Sequence, residues 1–205
     1  MADYDVIIIG GGTAGFSAGM YSSRLGMKTL LVERLIPGGQ IINVERIEDY
    51  PGLPDGISGA DFSSKVQEQA IVSGTEFAMS EVMGIRKSGH EWIVDTYEGE
   101  KISKSIIVAG GSTLKKLNVP GENELVGAGV SYCATCDGAF FIDQRVCVVG
   151  GGDSALQEAI TLTGFASKVD VFCRSSCLHA QQTLQDQITG HEKIQVHLNV
   201  EVQEI

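Results

Sequence analysis

DVIIIGGGTAGFSAGM, residues 5–20, decides how the rest of this sequence is read. Val6 to Ile9 are apolar without alternation, the mark of a parallel strand buried on both faces. Gly10, Gly12 and Gly15 follow in G-x-G-x-x-G spacing, with Thr13 and Ala14 between them, and lead into a segment of helical spacing. Glycines so placed allow a tight turn and a close backbone approach, so that a pyrophosphate can meet the helix N-terminus. The next apolar run, MKTLLVE, ends in Glu33, an acid placed to hydrogen-bond an adenosine ribose. Glycines alone serve many turns. Strand, glycines, helix, strand and acid in that order point to a dinucleotide site.

The pattern occurs twice. RVCVVGGGDSALQEAI, residues 145–160, repeats strand, glycines and helix, and SKVDVFCR supplies the second strand. Its fingerprint is Gly150, Gly152 and Ala155, alanine being an accepted third member. Val146 to Val149 read as a second buried strand, with Cys147 as a small core residue inside it. Ala155, Ala159 and Leu162 fall on one face of the second helix. Two such copies imply two dinucleotides, or one dinucleotide and a copy kept only for the fold.

Between the copies the pattern changes. EVMGIRKSG, HEWIVDTYEGE and KISKSIIVAGG alternate apolar and polar residues and are parted by glycine turns. They read as an antiparallel meander whose last strand returns to the parallel sheet. Pro51, Pro54 and nearby glycines mark a loop from Tyr50 to Gly59, with a helix expected over Ala60 to Val72. KLNVPGE, around Leu117 to Gly121, has the look of a linker. The fold class is therefore α/β.

Just ahead of the second copy stands Cys133-Ala134-Thr135-Cys136-Asp137. C-x-x-C brings two thiols within reach of a disulfide and lowers the pKa of one of them. Asp137 is placed to exchange a proton with a departing thiolate as a general acid or base. Half of a zinc site is the other reading, but no second C-x-x-C or paired histidines follow, and only Cys173, Cys177 and His179 could complete it. No metal is expected. Cys173 and Cys177 read as bystanders; His90, His191 and His197 read as surface or strand residues, and Trp92 as a packed meander residue.

Composition narrows the class. Lys and Arg number 15 against 26 Asp and Glu, a net charge of −11, which argues against a phosphate-backbone partner. The 43% apolar content suffices for a buried core without reaching membrane-span length anywhere. The acidic start MADYD reads as the approach to a first strand rather than an export signal, and five cysteines do not make a disulfide framework. Cytoplasmic localisation, no membrane and no nucleic acid are the resulting expectations.

GGGTAGFSA, ERLIPGGQIIN, EDYPG, SYCATCDGAFF and VVGGGDSALQEA occur in this order, and with them the chain resembles bacterial low-molecular-weight thioredoxin reductases along its whole length. The resemblance implies two Rossmann-like domains with parallel sheets and antiparallel meanders: residues 1–117 for FAD, and 118–205 for NAD(P)H and the redox pair. It places FAD phosphates at Gly10 to Gly15 and the adenosine near Glu33 and Arg34. Gly38, Gly39, Gln40, Ile41, Asn43 and Asp49 would lie near the flavin, Val82 near the adenine, and Ala109 and Gly110 on another cofactor segment. NADPH would use Gly150, Gly152, Asp153, Ser154 and Ala155, with Glu158 on the same helix. A homodimer and a thioredoxin-like protein substrate are implied as well.

Three departures from that pattern carry expectations. Asp49 stands where the family has Asn, so an acid near reduced flavin would need to be protonated or turned away. The family's basic cluster for the NADPH 2′-phosphate is reduced to Cys173, Arg174, Ser175 and His179, so NADH use is possible and selectivity relaxed. The chain ends at VHLNVEVQEI, where the second domain's own meander would begin, so this domain is expected to be incomplete and the first to lack a C-terminal return segment. The function implied is a flavin-dependent disulfide reductase running from NAD(P)H through FAD and Cys133–Cys136. The alternatives are a related FAD-dependent dithiol oxidase and a truncated, non-catalytic nucleotide-binding module.

Overall fold

The computed structural model describes residues 2–205, which divide into two compact units, one ending at Thr113 and the other running Leu114–Ile205. KLNVPGE lies inside the second unit.

In the first unit, β1 (Tyr4–Ile9) is flanked by two parallel neighbours, β2 (Thr29–Glu33) and β6 (Gly99–Val108). Ile7 pairs with Leu30 on one side and Ile106 on the other. β3 (Glu76–Met79) extends the parallel edge beside β2. β4 (Val82–Ser88) and β5 (Glu91–Thr96) form the antiparallel meander with β6, which carries the six-stranded order β3-β2-β1-β6-β5-β4.

Each face of β1 is covered, which accounts for its unbroken apolar run. Val6 and Ile8 pack with Phe16 of α1 (Thr13–Arg24) and Ala70 of α2 (Gly59–Val72). Ile7 packs with Leu30, Val32 and the fully buried Val94 of β5. The Ser58 hydroxyl caps α2 by accepting Asp61 N–H at 3.0 Å.

The second unit holds a three-stranded parallel sheet in the order β7-β8-β9: β7 (Arg145–Val149), β8 (Lys168–Cys173) and β9 (Ile194–Leu198). α3 (Ala134–Asp137) precedes it, α4 (Asp153–Leu162) links β7 to β8, and α5 (Gln182–Ile188) links β8 to β9. Val169 and Val171 pack against Ala159, while Leu156 packs against Leu184 and Ile188. The helix buries Leu156 and Ala159 most deeply; Ala155 and Leu162 are half-buried.

The reading of Val146 to Val149 as a buried strand is corrected. Among the described residues β7 pairs only with β8, so it is an edge strand; Val149 is 39% exposed and Cys147 is exposed rather than a core residue. His197, read as a surface or strand residue, lies in β9 and has a partner in Asp170. Asp170, at the centre of β8, accepts from Arg145 Nε at 2.6 Å and Nη2 at 3.1 Å, and its Oδ1 lies 2.7 Å from His197 Nε2. The Arg145 hydrogen bond, with help from His197 and against the effect of burial, lowers the Asp170 carboxyl from 3.8 to about 2.

The folded-state value lies below the unfolded one, so ionised Asp170 stabilises the fold above pH 3.8 and that contribution is lost as the pH falls towards about 2. Asp170→Asn is expected to lower unfolding free energy by about 2 kcal/mol near neutrality. In denaturant melts its deficit against the parent should narrow as the pH falls from 3.8 to about 2; a constant deficit would refute the assignment.

Candidate functional site

The two glycine turns are built alike. A Cβ on Gly15 would overlap the Gly10 carbonyl oxygen, and Gly10 itself has φ +110°, so this turn needs glycine at both positions. It brings α1 down onto the end of β1. Gly12 is the residue before α1 and supplies no side-chain cap, and a Cβ built on it meets nothing within 4 Å. The space beside Gly12, at the N-terminal end of α1, is therefore open to an anionic group.

Other residues expected near the flavin and adenosine gather around this turn. Glu33 Oε2 accepts Gly11 N–H at 2.6 Å, and its other oxygen accepts Leu35 N–H at 2.9 Å. Gly38 donates to the Gly11 carbonyl at 2.7 Å and bridges to Gly12; Gly39 to Asn43 then form a short 3-10 helix. Ala109 donates to Ile9 O at 2.8 Å, and its carbonyl lies against Gly10. Gln40 donates to the Ser112 carbonyl. Ser80, just before Val82, donates to Glu33 O at 2.8 Å, and Arg34 lies 3.8 Å from Glu81. Asp49 is exposed on the loop just past the Ile47–Ile57 bridge.

In the second unit Gly152 likewise precedes α4 without a side-chain cap and with open space at its Cβ. Ala155 stands in the third position of this turn and itself calls for glycine at Gly150, where φ is +148° and a Cβ would sit 2.8 Å from the Ala155 Cβ. Asp153 Oδ1 accepts Gln181 N–H at 2.6 Å, and the Gly151 carbonyl accepts from His179 and Ala180 at 2.7 and 3.1 Å. Ser154 and Arg174 are exposed. Where Gly11 abuts Glu33 in the first unit, Gly151 abuts the buried Cys173 thiol in the second.

Cys133 and Cys136 form a disulfide, with their Cα atoms 5.3 Å apart. Cys133 caps α3, its Sγ accepting Cys136 N–H at 3.1 Å. One residue beside the pair went unnoticed in the sequence. Ser131 donates to Asp137 Oδ2 at 2.6 Å and accepts Cys133 N–H at 3.1 Å, joining the expected acid to the pair. Glu158, expected near NADPH, accepts Ala134 N–H, and burial raises its carboxyl above the ordinary range against the effect of that bond. A serine closing the Asp137 turn leaves a faint sequence signal in S-x-C-x-x-C-D; a contact spanning 24 residues, like that of Glu158, leaves none. Among the described residues, no cluster of His, Cys, Asp or Glu suits a metal ion.

A family model described as pyridine nucleotide-disulphide oxidoreductase matches residues 4–205. The chain belongs to the pyridine nucleotide-disulphide oxidoreductases. Within this family it is 46% identical over 202 residues to thioredoxin reductase of Bacillus subtilis (strain 168), covering 98% of this chain and 64% of that protein. The Lactococcus lactis thioredoxin reductase crystal structure superposes with a TM-score of 0.95 at 46% identity, covering 99% of this chain and 67% of that one. The T. acidophilum thioredoxin reductase gives 0.92 at 30% identity, covering 100% and 67%. The chain thus spans less than two thirds of the length of the Bacillus relative.

The turn makes two glycines separable by experiment. Gly15→Ala should lower thermal stability, because its methyl group has no room. Gly12→Val should keep the fold, since its φ of −78° suits any residue, yet fill the space before α1 and weaken FAD binding by about tenfold or more. Melting curves and fluorescence titration with FAD would show this; equal FAD affinity in Gly12→Val would contradict it.

Proposed function

We propose that this protein is a flavin-dependent disulfide reductase that passes electrons from NAD(P)H through FAD and Cys133–Cys136 to a thioredoxin-like protein. A cytoplasmic homodimer belongs to the same reading. The observation that carries it is the Cys133–Cys136 disulfide, set beside Asp137 and Ser131 in a chain with two uncapped glycine-turn helices. The thioredoxin reductase relatives support it.

The residues fit both dinucleotides. The open N-terminus of α1 at Gly12 would hold the FAD pyrophosphate, with Glu33 at the ribose, and the equivalent end of α4 at Gly152 would hold that of the nicotinamide cofactor. When bound, FAD and reduced nicotinamide supply the two-electron chemistry that opens the disulfide. Opening it takes two electrons and two protons and leaves Cys133 and Cys136 as thiols. One thiolate then attacks the substrate disulfide, forming a mixed disulfide and expelling one substrate thiolate. The second cysteine sulfur attacks the first, which restores the Cys133–Cys136 bond and expels the other substrate thiolate. Asp137, held by Ser131, is placed to carry the proton at these sulfurs.

Replacing Cys133 or Cys136 with Ser should abolish reduction of a thioredoxin-like substrate; turnover retained by either variant would refute the assignment. Nucleotide choice follows from the end of β8. Cys173 takes the position that Glu33 takes in the first unit, so no carboxylate selects a free ribose 2′-hydroxyl, and exposed Arg174 offers a single guanidinium to a 2′-phosphate. The Michaelis constants for NADPH and NADH should then lie within about tenfold of each other, and a much larger NADPH preference would overturn this reading.

A further inference from the structure

Glu122 is 1% exposed, a buried carboxylate with no part in the chemistry described above. Its Oε1 accepts Leu117 N–H and the Tyr132 hydroxyl, both at 2.9 Å, and its Oε2 accepts Asn118 N–H at 2.7 Å. Asn118 is left-handed, with φ +58°, which asparagine tolerates. Leu117 and Asn118 thus aim successive N–H groups at one anion. These amides, Leu117 first, hold the Glu122 carboxyl below its usual range against burial, while burial and Glu122 push the Tyr132 hydroxyl up.

Tyr132 stands between Ser131 and Cys133 in the chain. Ser131 accepts Cys133 N–H and donates to Asp137, so what fixes Tyr132 fixes both sides of the redox pair. Apolar packing could anchor a loop without burying a charge; an ionised carboxylate with three directed donors also fixes orientation. We propose that Glu122 is a positioning residue for the Cys133–Cys136 pair, acting through Tyr132 to hold Cys133 and the Ser131–Asp137 contact in place. The proposal rests on the reading of this pair as redox-active.

The test needs neither flavin nor nicotinamide. The full chain is equilibrated with mixtures of oxidised and reduced dithiothreitol, alkylated, and scored for Cys133 and Cys136 by mass spectrometry. Glu122→Gln cannot offer three acceptor contacts without turning an amide N–H towards a donor, and Tyr132→Phe removes only the hydroxyl. A less confined Cys133 costs the disulfide more than the dithiol. Both variants should therefore shift the equilibrium towards the dithiol by about fivefold, the loss of one hydrogen bond of about 1 kcal/mol. Asp170→Asn, which removes a buried contact on β8, should leave it in place and so exclude general loosening.

Shifts below about twofold in both variants, or an equal shift in Asp170→Asn, would overturn the proposal. If Glu122→Gln does not fold, Tyr132→Phe decides alone. A parent chain whose Cys133–Cys136 bond stays closed in every mixture would instead refute the redox reading itself.

Discussion

The contact between Gly15 and the Gly10 carbonyl oxygen is the constraint on which the first unit is built. No side chain fits there, so α1 starts directly above the end of β1, with no side-chain cap at Gly12. The same approach brings Gly38 onto Gly11 and Glu33 onto the Gly11 amide, so one backbone turn gathers segments distant in sequence. The second unit repeats the design with Ala155 in the third position, its Cβ lying where a Cβ on Gly150 would meet it at 2.8 Å. Burial of β1 on two faces makes the turn rigid.

Around the cysteine pair the governing interactions are polar instead. Cys133–Cys136 lies at the head of a four-residue helix, too short to hold its own position by packing. Glu158 meets the Ala134 amide, Ser131 ties the start of the segment to Asp137, and Glu122 anchors the intervening Tyr132. Three acidic side chains therefore lie within or beside one small redox element, each meeting an N–H or O–H donor. Such a frame leaves the sulfurs as the groups free to change partners.

Much of the fold was legible because its strands follow simple patterns. Val6 to Ile9 state their burial directly, the alternation and glycine turns of β4 to β6 mark a meander, and the glycines mark where each helix begins. Val146 to Val149 misled because an apolar run records what a strand tolerates, not how many neighbours it has; with β8 alone beside it among the described residues, Val149 stays 39% exposed. Asp170 is a single polar letter inside KVDVFC, and its partners Arg145 and His197 lie on neighbouring strands. The site divides the same way. Its glycines and cysteines were visible through spacing, whereas Glu122, Ser131 and the contact of Glu158 with Ala134 depend on chain reversals that no local pattern records.

The most direct test counts thiols. The chain, supplied with FAD, is incubated anaerobically with NADPH, unfolded, and titrated with a chromogenic disulfide. The account predicts that accessible thiols rise from the three of Cys147, Cys173 and Cys177 to five as Cys133 and Cys136 open. Bleaching of the flavin band with the count still at three would contradict it, because electrons would then reach the flavin without passing to the cysteine pair.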